Sequence, residues 1–223
     1  MLGANDEEIE RLGLQHAAWR AQALAAWRTA GLGPRQTVLD VGCGPGYAGI
    51  DLARLLGAGG RVVAIDKSGR FVTALDGRRL DNVTVFRADL ESGEFPGVAA
   101  DGSWCRWVLS LTRNPRDVLA CMAAGLQPHG IAVFHEYFDY STGRAAPCCV
   151  ELELFVNAVM RNWRDHGGEP DIGLSLPGWL AELGFDVRRC VPLSKPCSLA
   201  TPIGHGCGRS ATCIARGWWR WDI

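Results

Sequence analysis

A nine-residue segment, Val-Leu-Asp-Val-Gly-Cys-Gly-Pro-Gly at positions 38–46, puts a short apolar run directly before three alternating glycines. The apolar run is typical of a strand that is buried on both faces of a parallel sheet. Gly42, Gly44 and Gly46 let the backbone turn sharply and let a ligand approach it closely, because glycine has no Cβ. The segment therefore predicts a strand and a tight turn into a helix, with a ligand bound at the turn.

The spacing of these glycines distinguishes the turn from two common nucleotide-binding turns. A dinucleotide-binding turn has the pattern G-x-G-x-x-G, but Tyr47 stands where its third glycine would be. A P-loop ends in Gly-Lys-Ser/Thr, and no lysine lies between Met1 and Ile65. A nicotinamide-dependent oxidoreductase stays open as an alternative function, although Tyr47 counts against it.

Acidic residues accompany three successive predicted strands. Asp40, Asp66 and Asp89 each follow a β-branched or apolar run. Asp66 lies 20 residues beyond Gly46, about where an acid binds the ribose diol in doubly wound nucleotide-binding folds. A single aspartate at a strand end is more often a turn or N-cap residue. Three of them beside a glycine turn indicate one ligand site at a common edge of the sheet.

Strands and helices alternate along the chain, which indicates an α/β fold with a mostly parallel sheet and helices on both faces. Such a sheet binds its ligand outside the carboxyl ends of the strands. The predicted strands are 38–41, 61–66, 83–90, 102–111, 130–139 and 185–193. The predicted helices are 46–56, 114–126, 150–166 and 177–183, with an N-terminal helix after Asn5 and another after Ser68.

The glycine turn and its acids resemble those of class I, Rossmann-like S-adenosylmethionine-dependent methyltransferases. Three later segments, residues 105–109, 114–119 and 125–130, are similar to the fourth-strand and fifth-strand regions of the small-molecule branch, with His129 where that family usually has glycine. The resemblance covers residues 5–193. It implies the three-layer methyltransferase fold, S-adenosyl-L-methionine as the methyl donor, S-adenosyl-L-homocysteine as the product and a small molecule as the acceptor.

The resemblance also implies which residues bind the cofactor. Asp89 stands where the family contacts the adenine amino group, and the backbone amide of Leu90 stands where it contacts a ring nitrogen. The full expected set is Asp40, Gly42, Cys43, Gly44, Gly46, Asp66, Lys67, Asp89, Leu90 and Arg106.

Methyl transfer from a sulfonium is an in-line displacement, to which a protein contributes alignment and a dry site. A base helps when the acceptor is a phenol, a hydroxyl or a protonated amine. Glu136 and His135 are the candidate bases, and strand alternation sends their side chains to opposite faces, so only one can point into the site. The expected acceptor and lid residues are Trp19, Tyr137, Tyr140, Phe155 and Met160.

The chain is predicted to be one domain, residues 1–223. Its parts are a helical cap at 1–33, a cofactor-binding core at 34–139, a lid insertion at 140–173, a last helix and sixth strand at 174–193, and an atypical tail at 194–223. The fold normally ends with an antiparallel seventh strand, which only Ala211 to Trp218 could supply and poorly. The seventh strand is therefore doubtful, and three interpretations of the tail tryptophans stay open: they are buried, form a homodimer contact or reflect an altered C-terminal reading frame.

The composition of the chain argues against several classes of function. A formal net charge of −1, from 23 basic and 24 acidic side chains, gives no electrostatic basis for binding nucleic acid. No signal sequence or membrane-spanning run is expected, and nine cysteines without a Cys-x-x-Cys pair indicate a reduced, cytoplasmic protein with no metal. His205, Cys207 and Cys213 are a weak zinc alternative. A protein that binds the cofactor without catalysis is a further alternative.

Overall fold

The structure of the protein is a computed structural model, and it describes residues 5–142, 149–193 and 210–217, the last as backbone only. The zinc alternative and the terminal tryptophans lie outside the described side chains. Among the described residues, no helix is long and apolar enough to cross a membrane.

Seven strands form one sheet in the order β3-β2-β1-β4-β5-β7-β6. Strands β1 to β5 are parallel, and β7 runs antiparallel between β5 and β6. The strands are β1 Thr37–Val41, β2 Arg61–Asp66, β3 Val83–Arg87, β4 Ala100–Arg106, β5 Leu126–Tyr137, β6 Phe185–Leu193 and β7 Ser210–Gly217. This sheet confirms the predicted α/β methyltransferase fold.

The doubt about the seventh strand was wrong, because β7 is present at Ser210–Gly217. Its segment lacks a clear amphipathic period, but it is paired along its length with β5 on one side and β6 on the other. Ladder hydrogen bonds from two neighbours decide such a strand more than its own propensity does. The fifth strand consequently has no open edge.

The helices are α1 Asp6–Ala30, α2 Tyr47–Leu56, α3 Gly69–Asp76, α4 Pro115–Ala124, α5 Val150–Asp165 and α6 Leu176–Glu182. The predicted start of α1 is confirmed, because the Asn5 side chain accepts a hydrogen bond of 2.8 Å from the N–H of Glu8. The helix ends at Gly31, whose φ of +86° is the left-handed conformation that glycine adopts at helix ends.

Two strand boundaries differ from the prediction by four residues or more, and a residue with positive φ accompanies each of them. β4 ends at Arg106 and not at 111, because Trp107 has a φ of +54° and Leu109–Leu111 form a 3₁₀ turn. β5 begins four residues early, at Leu126, and a register shift against β4 accommodates His129, whose φ is +65°. Such bulges lie outside what alternation in the sequence can indicate.

The two faces of the sheet are covered by different helices. Apolar side chains of α1, α2 and α3 pack on one face, where Trp27 meets Trp104 edge-on at 5.2 Å between ring centroids. Side chains of α4 and α6 pack on the other face with Leu39, Cys105 and Phe134. The carboxyl ends of β4 and β5 lie under α1, where Trp19 contacts Trp107 and His135.

The helical spacing of the apolar residues Leu152, Phe155 and Met160 predicts that all three face inward from α5. This prediction is wrong for the first half of the helix. Phe155 is 64% exposed and Leu152 is 41% exposed, whereas Met160 is only 6% exposed. The helix packs through its C-terminal half alone, where Trp163 donates a hydrogen bond of 2.7 Å to the carbonyl of Ser110. A helical period gives the apolar face of a helix but not how much of its length is covered.

The close approach of α3 to the glycine turn predicts a large cost for Gly46→Ala. Gly46 has a φ of +88°, and a Cβ there would lie 2.3 Å from Cδ1 and 2.9 Å from Cβ of Leu75. Gly31, which has the same left-handed conformation with a φ of +86° and no atom closer than 3.9 Å to its virtual Cβ, provides the matched control. We expect Gly31→Ala to cost about 1–2 kcal/mol for the backbone alone.

Gly46→Ala should lower the free energy of unfolding by about 1–3 kcal/mol more than that, because the Cβ of Leu75 cannot move away without α3. Urea unfolding of both variants measures the difference. Equal losses in the two variants would mean that the Leu75 contact relaxes at no cost.

Candidate functional site

The turn after β1 is held by the acid at the end of β2. Asp66 Oδ2 accepts a hydrogen bond of 2.9 Å from the N–H of Gly44, and Oδ1 accepts one of 2.8 Å from the N–H of Ser68. Burial raises the pKa of Asp66, and these two backbone donors partly oppose that shift. Gly44 has a φ of +55° and no atom within 4 Å of its virtual Cβ. The turn is thus ordered by Asp66 and remains open on the Gly44 side.

Two buried groups of opposite charge face the same side of the sheet next to this turn. Asp40 of β1 is aligned with Trp104 of β4, and alternation puts Arg106 on the same face as Trp104. Asp40 Oδ2 and Arg106 Nη1 are buried and have no hydrogen-bond partner among the described residues. Burial raises the pKa of Asp40 to about 7 and lowers that of Arg106 to about 10, and the charge of each group opposes the shift of the other.

Helix α1 is attached to the start of α2 beside the turn. The Tyr47 hydroxyl donates a hydrogen bond of 3.2 Å to the carbonyl of Ile9. A Cβ on Gly13 would lie 2.9 Å from the Tyr47 ring, so glycine within α1 lets the two helices approach. The glycine that weakens the isolated helix therefore has a packing function.

Asp51 of α2 binds three side chains. It accepts hydrogen bonds of 2.5 and 2.9 Å from Arg20, one of 3.2 Å from Arg54, and it lies 3.0 Å from Nε2 of His16. Burial tends to raise the pKa of Asp51, but the hydrogen bonds from Arg20 and His16 outweigh it, so the pKa is lowered. His16 Nδ1 lies 3.0 Å from Nη2 of Arg106.

Three tryptophans surround His135, one of the two candidate bases. The ring of His135 is fully buried and lies 5.2 Å from Trp19, 5.3 Å from Trp107 and 6.1 Å from Trp104, measured between ring centroids. Neither ring nitrogen has a hydrogen-bond partner among the described residues. Burial and then the charge of Arg106 lower the pKa of His135 to about 3, so its imidazole is neutral at physiological pH.

The aromatic surface continues from Trp107 toward α5. Tyr137 stacks on Trp107 with 5.5 Å between ring centroids, and Tyr140 and Trp163 both meet Tyr137 edge-on at 5.4 Å. The left-handed backbone of Trp107 is rare for a bulky side chain and is maintained only where its surroundings fix it. Arg106 lies over the Trp107 ring at 5.0 Å. The aromatic cluster is therefore continuous with the charged pair.

The second candidate base, Glu136, has a different environment. Its Oε1 accepts hydrogen bonds of 2.9 Å from the N–H of Val108 and 3.0 Å from the N–H of Leu109, and it lies 3.9 Å from Sγ of Cys105. Glu136 and His135 thus contact opposite faces of the sheet, as alternation predicts. These contacts favour a role for Glu136 in ordering the segment after β4, and its role as a base stays a prediction.

The other expected cofactor residues differ in their surroundings. Asp89 accepts a hydrogen bond of 3.1 Å from the N–H of Glu91, which is the capping role weighed against ligand binding. Cys43 and Leu90 are buried, and Lys67 forms a 3.7 Å ion pair with Glu91. Near them an open groove of about 500 Å³ lies between α1 and α3, where Asp6 and Arg70 form an ion pair across it.

Sequence reasoning missed several residues of this site. Asp51, Arg20, Trp107 and Trp163 carry contacts that no motif indicates, although Arg20 follows His16 at helical spacing on the same side of α1. The expected lid residues Trp19, Tyr137 and Tyr140 are brought together, whereas Phe155 is not among them. Within the described part of the chain, no three His, Cys, Asp or Glu side chains are grouped so as to hold a metal ion.

The buried carboxyl of Glu136 predicts a pH-dependent stability. Burial raises its pKa to about 7 from an ordinary 4.5, despite the opposing backbone hydrogen bonds. The folded state then binds more protons than the unfolded state between those values, so stability should fall as the pH rises through that range. The free-energy difference between Glu136→Gln and wild type should change by up to about 3 kcal/mol between pH 4 and pH 8.

Urea unfolding across that pH range tests the prediction. Glu7→Gln, which alters an exposed carboxylate in the first turn of α1, is the matched control and should leave the pH profile unchanged. Parallel profiles for Glu136→Gln and wild type would show that Glu136 is not held in a raised-pKa environment.

Comparison with known proteins finds a family model that matches the central part of this chain. Residues 38–130 match the family model of a methyltransferase domain. An uncharacterized 37.1 kDa protein of transposon Tn4556 from Streptomyces fradiae is 28% identical over 174 residues, which are 73% of this chain and 47% of that protein. The chain thus spans about half the length of that relative.

Solved structures share the fold across most of the chain. An S-adenosylmethionine-dependent methyltransferase from Aquifex aeolicus has a TM-score of 0.66 at 17% identity, with 97% of this chain and 99% of that chain covered. The N-methyltransferase NodS from Bradyrhizobium japonicum, in complex with S-adenosyl-L-homocysteine, has a TM-score of 0.63 at 18% identity, with 89% and 86% covered. The chain thus contains a segment, residues 38–130, that matches a methyltransferase domain, and it shares its α/β fold with solved S-adenosylmethionine-dependent methyltransferases.

Proposed function

We propose that this chain transfers a methyl group from S-adenosylmethionine to a small-molecule acceptor. The observation that carries the proposal is the pair of buried polar atoms without a hydrogen-bond partner among the described residues, Asp40 Oδ2 and Arg106 Nη1, beside the open Gly44 turn. Buried polar atoms without a hydrogen-bond partner are costly unless a ligand satisfies them. The amino-acid end of the cofactor carries an ammonium and a carboxylate, which are the complements of these two groups.

The remaining cofactor contacts would come from groups already positioned at the strand ends. Asp66 would accept from the ribose hydroxyls with the lone pairs that Gly44 and Ser68 leave free. The buried Leu90 would contact the adenine ring. When bound, the cofactor supplies an electrophilic methyl group on a positively charged sulfur. Every other contribution to the reaction has to come from the side chains around it.

The aromatic cluster next to Arg106 supports a small, largely apolar acceptor. Trp19, Trp107 and Tyr137 exclude water from the region around His135, and a dry site favours displacement at a charged sulfonium. The neutral His135 imidazole has a nitrogen available to orient an acceptor hydroxyl or amine by a hydrogen bond. A net charge of −1 argues against a polyanionic acceptor.

Cofactor binding is tested by calorimetric titration of the full chain with S-adenosylmethionine. Asp66→Asn should weaken binding about 10- to 100-fold, the effect of losing a hydrogen bond to a charged group. Asp81→Asn, which alters an exposed acid in the loop before β3, is the matched control and should bind like wild type. A chain that does not bind the nucleoside, or an Asp66→Asn variant that binds it unchanged, would contradict the proposal.

The acceptor class is tested by incubating the protein and S-adenosylmethionine with three fractions of a cell extract: small metabolites, proteins and nucleic acids. We expect S-adenosylhomocysteine to form with the metabolite fraction and to decline when His135→Phe replaces the wild-type chain. Turnover with nucleic acid alone would overturn the small-molecule assignment. Tight binding without turnover in any fraction would favour a protein that binds the cofactor without catalysis.

A further inference from the structure

A chain of three side chains connects α2, α1 and β4. Asp51 Oδ2 lies 3.0 Å from Nε2 of His16, and His16 Nδ1 lies 3.0 Å from Nη2 of Arg106. Asp51 and His16 are both buried. The imidazole of α1 therefore bridges an acid on one neighbouring element and a cation on another.

The chemistry of the two partners fixes the tautomer of His16. A guanidinium can only donate hydrogen bonds, so Nδ1 of His16 has to accept from Nη2 of Arg106. The proton of the neutral ring is then on Nε2, where it is donated to the Asp51 carboxylate. Burial and the charge of Arg106 both lower the pKa of His16, which is consistent with this neutral form. Asp51 thus acts on Arg106 through the ring of His16.

This arrangement determines which part of Arg106 is available to a ligand. Nη2 is engaged by His16, and the guanidinium is positioned against the Trp107 ring, whereas the buried Nη1 has no partner among the described residues. Because a guanidinium is rigid and planar, fixing Nη2 and the ring contact also fixes the direction of the Nη1–H bonds. A flexible cation is converted into an oriented donor.

We propose that His16 is a positioning residue, which with Asp51 orients Arg106 so that Nη1 binds the carboxylate of the cofactor's amino-acid end. Helix α1 thereby contributes to cofactor recognition through a side chain that need not touch the cofactor. The inference rests on the proposed function. It goes beyond the proposed function because it assigns recognition of the cofactor's amino-acid end to the contact between His16 of α1 and Arg106 of β4.

Two substitutions of His16 separate positioning from simple attachment of α1. In His16→Gln, the side-chain amide can still donate to Asp51 from the position of Nε2, but the acceptor facing Arg106 is lost. In His16→Asn, Oδ1 takes the position of Nδ1 and can accept from Arg106, but the contact with Asp51 is lost. Arg20→Gln removes another link between α1 and Asp51 and leaves His16 unchanged.

The measurement is the calorimetric affinity of each full-length variant for two nucleosides. S-Adenosylhomocysteine carries the amino-acid end, and 5′-deoxy-5′-methylthioadenosine lacks it, so the ratio of their affinities reports recognition of that end. We expect His16→Gln to lower this ratio about tenfold, as for the weakening of one charge-assisted hydrogen bond. Arg106→Gln should lower it at least as much. His16→Asn should lower it by less than His16→Gln, because only the contact with Asp51 is lost, and Arg20→Gln should largely retain the wild-type ratio.

The outcomes separate this inference from the proposed function. A wild-type ratio in His16→Gln, or an equal loss of the ratio in Arg20→Gln, would overturn the positioning role while leaving cofactor binding intact. A wild-type chain that binds neither nucleoside would overturn the proposed function itself. Urea unfolding of each variant confirms that the chain being titrated is folded.

Discussion

The functional edge of this protein depends on a backbone turn that only glycine can make. Gly42 and Gly46 have positive φ, and their missing Cβ atoms leave room for Val108 and Leu75, which come from β4's extension and from α3. The turn is thus packed from both sides, and Asp66 hydrogen bonds to its centre. Because these contacts come from three other elements, the turn could form only with the surrounding sheet. Its geometry in turn sets where β1 and α2 expose their polar groups.

Burying the polar groups of this region costs free energy that contacts among the described residues do not fully offset. Asp40, Arg106 and His135 lie on one face of the sheet at the carboxyl ends of three strands, and each keeps a buried polar atom without a partner among the described residues. Glu136, on the other face, is instead used to order the backbone after β4. Neighbouring residues of one strand therefore have separate surroundings, because His135 faces the tryptophans and Glu136 binds the backbone after β4.

The sequence predicted the parts of the structure that are local. Glycine spacing and the alternation of strands and helices were sufficient to predict the fold class. The strand-end acids indicated that Asp66 lies beside the glycine turn, and the Asn5 cap indicated where α1 begins. Contacts between distant elements were not predictable, because they depend on how helices cross the sheet. Asp51 appears in the sequence as an ordinary helical acid, and β7 appears as a weak strand whose pairing partners are far away along the chain. The exposed half of α5 could not be foreseen for the same reason.

The central position of β7 between β5 and β6 has a consequence for how the chain acquires its structure. β7 pairs with β5 on one side and β6 on the other, and it is synthesised after every other described element. During synthesis the amide and carbonyl groups along one side of β5 therefore stay unpaired until β7 is present. Pairings between residues so far apart in the chain form slowly, and incompletely paired strands are prone to association with other chains. Until β7 has been synthesised, β5 and β6 are therefore open to association with other chains.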